Sequence, residues 1–324
     1  MFMVVTLPKS FRNLLLMLLA AISPWQAAYA QTFDEVQFQD ARLATIADRL
    51  LVANSALCRT TMPVAGLVLH SIDQYSASVP SEHFANGPLA VAALVPGGPA
   101  ERAGLQPDDG IVTINGVPVD ALVPAEGQHL REAAFERLAD STGLIDVSVR
   151  RNGATMSVGL QGEEGCRALV EIRVGSGPTA QTDGRVLQVR YDFAAELSDD
   201  TLAVVVAHEL AHVVLEHRKR KQAAGIDNGL FASLGRNQQA NRAAEIEADR
   251  LSVHLLANAG YSATLAPNFW RNERDRTGGM PSFVYPTRQA RAELLDEEIA
   301  RYLPTGRGPS WPGHLLALRG RGFE

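Results

Sequence analysis

The run Leu197-Ser198-Asp199-Asp200-Thr201-Leu202-Ala203-Val204-Val205-Val206-Ala207-His208-Glu209-Leu210-Ala211-His212 decides how this chain is read. Ser198 suits an N-cap, and Asp199 and Asp200 fall in a first turn, where carboxylates favour the positive end of the helix dipole. Leu202, Val205, Val206, Leu210 and Val213 follow at helical spacing, and the expected helix continues to a cationic end at Arg218-Lys219-Arg220-Lys221. Residues four apart share one helix face, so His208 and His212 can offer both imidazoles to one metal ion. Glu209 lies beside them, placed to take a proton from a metal-activated water.

A catalytic zinc ion takes three protein ligands and keeps a fourth position open. A metzincin pattern would continue with Gly at 215 and His at 218, where this chain has Leu215 and Arg218. His217 is one place out of register, on a helix with no sequence sign of ending there. The other source is a Glu on a following helix, expected over about 241–259 and stopped by Gly260. That helix offers Glu245 and Glu247. In thermolysin-like geometry the ligand Glu is followed four residues later by an Asp that steadies a ligand His. Asp249 stands four after Glu245, whereas Leu251 stands four after Glu247. The comparison assigns Glu245 as third ligand and Asp249 as the carboxylate behind an imidazole. Glu247 is then a solvated side chain or an ion-pair partner.

Upstream, the first thirty residues read as an export leader. Lys9 and Arg12 make a positive start, Leu14 to Ile22 an apolar run too short to span a bilayer comfortably, and Ala28-Tyr29-Ala30 a small-residue cleavage pattern. Cleavage is expected after Ala30, with an uncleaved anchor as the alternative. No later stretch approaches about 18 apolar residues, so no transmembrane segment is expected in the mature chain. The apolar fraction of 46% and charged fraction of 20% are those of a globular protein, and a net charge of −6 sets nucleic acid aside as a partner. In an oxidising compartment the two cysteines, Cys58 and Cys166, read first as a disulfide, with two free buried thiols as the alternative.

Residues 33–54 read as an amphipathic helix, with Val36, Leu43, Ile46, Ala47, Leu50 and Leu51 on one stripe that must dock on something later in the chain. From about 60 to 162, short β-like runs alternate with turn signals, and the clearest hairpin turns at Asn152-Gly153. This segment resembles a PDZ domain of the bacterial protease-associated kind. The resemblance rests on Pro96-Gly97-Gly98-Pro99-Ala100-Glu101-Arg102-Ala103-Gly104-Leu105 and on Asp108 to Val119, with Asp108-Asp109-Gly110 where Gly-Asp is usual.

The stretch Asp199 to His217, the Glu245 to Asp249 helix and Ala259-Gly260-Tyr261 resemble the family that contains the heat-shock protease HtpX, the CAAX prenyl protease and soluble periplasmic members such as BepA. The resemblance implies a gluzincin metalloendopeptidase holding one zinc ion through His208, His212 and Glu245, with Glu209 as base. Members often carry His-Pro-Ser with an Arg five residues after the Pro. Here Tyr285-Pro286-Thr287 and Arg291 keep that spacing, so Tyr285 and Arg291 are candidates for catalysis, or for a turn that only packs nearby. His70, His83, His129, His217, His254 and His314 have no partner at ligand spacing and read as surface or satisfied core residues.

The expected fold is α+β: a mainly helical zinc-peptidase domain with an inserted β-rich PDZ-like domain. Its expected parts are a leader (1–30), a docking helix (31–57), the PDZ-like domain (58–164) and the peptidase domain (165–324). The expected substrates are exported polypeptides, misfolded or unassembled, with a C-terminal peptide or partner protein at the PDZ-like domain. The alternative is a PDZ-based chaperone or assembly factor whose zinc is structural or autoinhibited.

Overall fold

The computed structural model describes residues 24–75, 81–226, 235–272, 287–303 and 308–323, with side chains from 33 in the first helix and from 237 in the helix that begins at 235. Most of the expected leader, including Lys9, Arg12 and the apolar run, lies outside the described residues. Among those described, no helix is long and apolar enough to cross a membrane.

Helix α1 (Pro24–Ala53) begins upstream of the expected start. Its stripe Leu43, Ile46, Ala47, Leu50 and Leu51 is buried in the larger of two main hydrophobic cores, together with residues of the C-terminal half. Burying each Leu or Ile contributes about 1.5–3 kcal/mol, so this face alone fixes the helix to the body. Polar contacts set its register. Arg42 donates to Asp199 Oδ1 (2.5 Å) and to the carbonyls of Ala194 and Leu197. At the other end the fully buried Asn54 donates to Leu50 O and Leu255 O and accepts from Asn258.

The chain then leaves the body through β1 (Thr61–Val64) and returns through β8 (Glu163–Cys166), paired antiparallel with Thr61 opposite Cys166. A Cys58–Cys166 disulfide closes this stem, with Cα atoms 5.5 Å apart. Between the two lie β2 (Leu67–Ser71), β3 (Leu89–Leu94), the one-turn helix α2 (Pro99–Arg102), β4 (Gly110–Ile114), β5 (Val117–Pro118), helix α3 (Leu130–Ala139), β6 (Ile145–Arg151) and β7 (Ala154–Leu160). The sheet order is β2-β3-β4-β6-β7, with β5 beside β4. Ile145, Val147 and Val149 alternate inward along β6, as a half-buried strand requires. Asn152 (φ 51°) and Gly153 (φ 80°) make the two-residue turn that their left-handed preference permits. This β-rich unit has a separate core around Leu69, Leu89, Ile114, Val147 and Leu160.

The C-terminal half opens with strands that the sequence reading omitted: β9 (Leu169–Arg173), β10 (Ala180–Thr182) and β11 (Val186–Arg190), in the order β10-β11-β9. Helices α4 (Tyr191–Glu196), α5 (Asp199–Val214), α6 (His217–Ala223), α7 (Gly235–Asn258), α8 (Leu265–Asn272), α9 (Arg288–Tyr302) and the short α10 (Gly313–Leu316) follow. Ser198 caps α5, its side chain accepting from Thr201 N. Gly260, at φ 74°, terminates the turn after α7.

One helix is two. The expected continuous run to Lys221 breaks at Glu216, which is left-handed at φ 54°, so α5 ends at Val214 and α6 starts at His217. Glu216 carries no glycine-like advantage for that conformation. Its carboxylate is held from outside the helix by Arg59 at 2.5 Å, with Lys219 at 3.6 Å.

Candidate metal centre

Helices α5 and α7 pack side by side and bring their polar faces together inside the larger core. The two ring atoms His208 Nε2 and His212 Nε2 lie 3.2 Å apart. Glu245 reaches across from α7, with Oε2 3.2 Å from His208 Nε2 and Oε1 3.6 Å from His212 Nε2. A tetrahedral ion bound at about 2.0–2.1 Å sets its ligand atoms roughly 3.3 Å apart, so this spacing fits one ion among the three.

The electrostatics fit as well. Burial would raise the Glu245 carboxyl, yet His212 and His208 beside it hold it far below the ordinary carboxylate range. Burial disfavours a His208 cation, yet Asp249 and Glu245 lift its pKa to about 10. His212 is kept neutral, chiefly by burial. An ionised carboxylate and a neutral imidazole are ligand forms, and the negative potential that favours a proton on His208 would favour a cation in its place. Glu209 lies one residue along α5, 8% exposed. Burial pushes its carboxyl up to about 7, with His208 opposing and Glu245 adding to the rise.

Each imidazole is held from behind. Asp249 Oδ1 lies 3.1 Å from His208 Nδ1. Arg291, from α9, grips both oxygens of Asp249 at 2.5 and 2.6 Å and lies 3.4 Å over the Trp270 ring. Arg291, expected as a candidate for catalysis or for a turn that only packs nearby, stands behind Asp249. Tyr285 lies outside the described residues.

His217, expected to be a surface or a satisfied core residue, is the latter. It is buried, its Nδ1 is 2.7 Å from His212 Nδ1, and its Nε2 is 3.1 Å from Glu247 Oε2. One proton arrangement satisfies the chain. His212 Nδ1–H donates to His217 Nδ1, His217 Nε2–H donates to Glu247, and the Nε2 lone pair of His212 stays free for a metal. Glu247 is paired with Arg220 at 2.5 Å, and Arg220 stacks over Phe323. Glu247 is thus an ion-pair partner, not a solvated side chain. The missed signal was the turn at Glu216, which swings His217 beneath His212.

Two family models match the chain: a PDZ domain over residues 91–133, and a domain described as "Putative metallopeptidase domain" over residues 166–310. No curated protein and no solved structure matches. The second match spans both α5 and α7, so it contains the candidate centre. The chain thus carries a segment similar to a PDZ domain and a segment similar to a putative metallopeptidase domain.

Proposed function

We propose that this chain is a zinc-dependent endopeptidase acting on exported polypeptides, with His208, His212 and Glu245 as metal ligands. The convergence of two imidazoles and one carboxylate, with Asp249 behind His208, carries the reading. When bound, a zinc ion would polarise the scissile carbonyl and acidify a water. Glu209 accepts the proton of the attacking water and passes it to the leaving amine. Asp249 and His217 fix the planes of the two imidazoles, and Arg291 fixes Asp249. Zinc is preferred among divalent ions for its affinity for imidazole with carboxylate at low coordination number.

The resemblance to the soluble periplasmic branch of the HtpX and BepA family supports a role in quality control of exported proteins. The leader-like start, with cleavage after Ala30, and the disulfide support an exported location. The two separate cores support domain boundaries near 58 and 164. PDZ domains take a peptide as an added strand at a sheet edge. Here the free edge of β2 and helix α3 face α1 and β9, and the cavity between them holds only about 80 Å³. A peptide or partner at that edge would require the module to lift from the body.

Purified full-length protein should cleave an unfolded polypeptide such as casein, lose that activity to a chelator and regain it with zinc. A metal-loaded protein that cleaves nothing would defeat the proposal and leave a PDZ-based binding role.

A further inference from the structure

We infer that His254, Glu298 and His314 form a second divalent-metal site, separate from the candidate catalytic centre. His254 comes from α7, Glu298 from α9 and His314 from α10, so the three lie on three helices. Their ligand-type atoms converge within 4.8 Å of one another, the same limit that the centre meets. Both Nε2 atoms face one carboxylate oxygen, His254 at 3.0 Å and His314 at 2.8 Å from Glu298 Oε1.

The surroundings aim these atoms as a metal site's outer contacts do. His254 Nδ1 is 2.6 Å from Ser310 Oγ, which fixes the ring and directs Nε2 inward. Arg250 donates to the other oxygen of Glu298, Oε2, at 2.6 Å, leaving Oε1 for the common point. The Tyr302 ring stacks on His314 at 3.9 Å and sets its plane. His254 and Glu298 are buried, while the His314 side chain is 28% exposed. That edge gives an ion a way in and a water a fourth position. Two imidazoles and a carboxylate suit zinc and its first-row neighbours, and exclude calcium as the fitting ion.

The site would be structural. It ties the C-terminal segment to α7 and α9, the helices that carry Glu245, Asp249 and Arg291. His254 lies five residues beyond Asp249, and Glu298 seven beyond Arg291, so an ion there would pin the seam that holds the centre's outer contacts.

The test counts metal on the full chain, using zinc alone as probe. Chelator-stripped protein is reloaded with Zn2+, desalted and assayed by mass spectrometry of the metal. Wild type should hold one ion for each of the two triads. His314→Ala, chosen because His314 is the exposed ligand, should lose one ion and keep the other. His208→Ala should also lose one, and its unfolding midpoint should still rise on adding Zn2+, whereas the His208→Ala, His314→Ala double variant should show neither bound zinc nor the rise. Anomalous scattering at the zinc edge should place the second ion between His254, Glu298 and His314. If zinc content is the same with and without His314, and Zn2+ leaves the midpoint of His208→Ala unmoved, the cluster is only a hydrogen-bonded network around Glu298 and the inference fails.

Discussion

The candidate metal centre and the seam between the PDZ-like domain and the body are both built from charged residues, but differ in how uniformly these are buried. At the centre the pairings are uniformly withdrawn from water: Glu245 faces His208 and His212, Asp249 faces Arg291, and Glu247 faces Arg220 and His217. At the seam one buried pair, Arg131 with Glu171, sits beside partly exposed ones, with Arg167 and Arg185 converging on Glu136. Asp48, beside that seam, has its pKa raised to about 7, first by burial and then by Glu163. Solvated ion pairs contribute little each, whereas buried networks lose several kcal/mol when one member is removed. The seam also has covalent strength, supplied by one disulfide at the stem.

Breaking that disulfide should give the largest effect. Cys58→Ser with Cys166→Ser opens a loop of 108 residues, worth about 4–5 kcal/mol in the chain-entropy account and 2–5 in practice. Chemical denaturation measures it, and the zinc content should not change. If the double variant lost zinc while still folded, seam and centre would not be separable.

At the centre, Glu209→Gln should lose activity at least about a hundredfold, or about 2.7 kcal/mol, while keeping its metal, because an amide cannot accept the proton. Casein cleavage and metal content on the same sample check it. Asp249→Asn removes the charge behind His208 and should cost about 10–100-fold in zinc affinity or activity. A change smaller than that would mean that Arg291 and the packing alone hold the ring.

The smallest effect belongs to Asp48. Its carboxyl titrates near 7 in the fold against an ordinary 3.8, so the native chain holds the extra proton between these values. Stability from this group is full below about 4, falls as pH rises through 7, and stays low above it. Asp48→Asn should flatten that slope and add about 1–2 kcal/mol at pH 8, discounted because the residue keeps a partly exposed edge. Unfolding followed from pH 4 to 8 tests the sign. A variant less stable at pH 8 would reveal a partner for the ionised carboxylate.

What the sequence disclosed was what short spacing can encode. His208 and His212 share a helix face because they are four apart, and the interval from Glu245 to Asp249 follows the same rule. The α1 stripe and the Asn152-Gly153 hairpin were legible for similar reasons, since period and turn chemistry are local. The three strands of the body were not, because each is only three to five residues long. The break at Glu216 had no glycine or proline to announce it, and the pairing that accompanies it, with Arg59, comes from 157 residues away. Without that break His217 has no reason to meet His212. His254, Glu298 and His314 are likewise joined only by the packing of three helices.

The central claim is that Glu245, not Glu247, completes the metal centre. Zinc affinity of Glu245→Ala and Glu247→Ala, measured by chelator competition in a His314→Ala background so that only this centre is counted, tests it directly. Glu245→Ala should lose measurable binding, and Glu247→Ala, which loosens His217 behind His212, should stay within about tenfold of the parent. Equal losses, or a greater loss at Glu247, would contradict the account and turn the other face of α7 toward the metal.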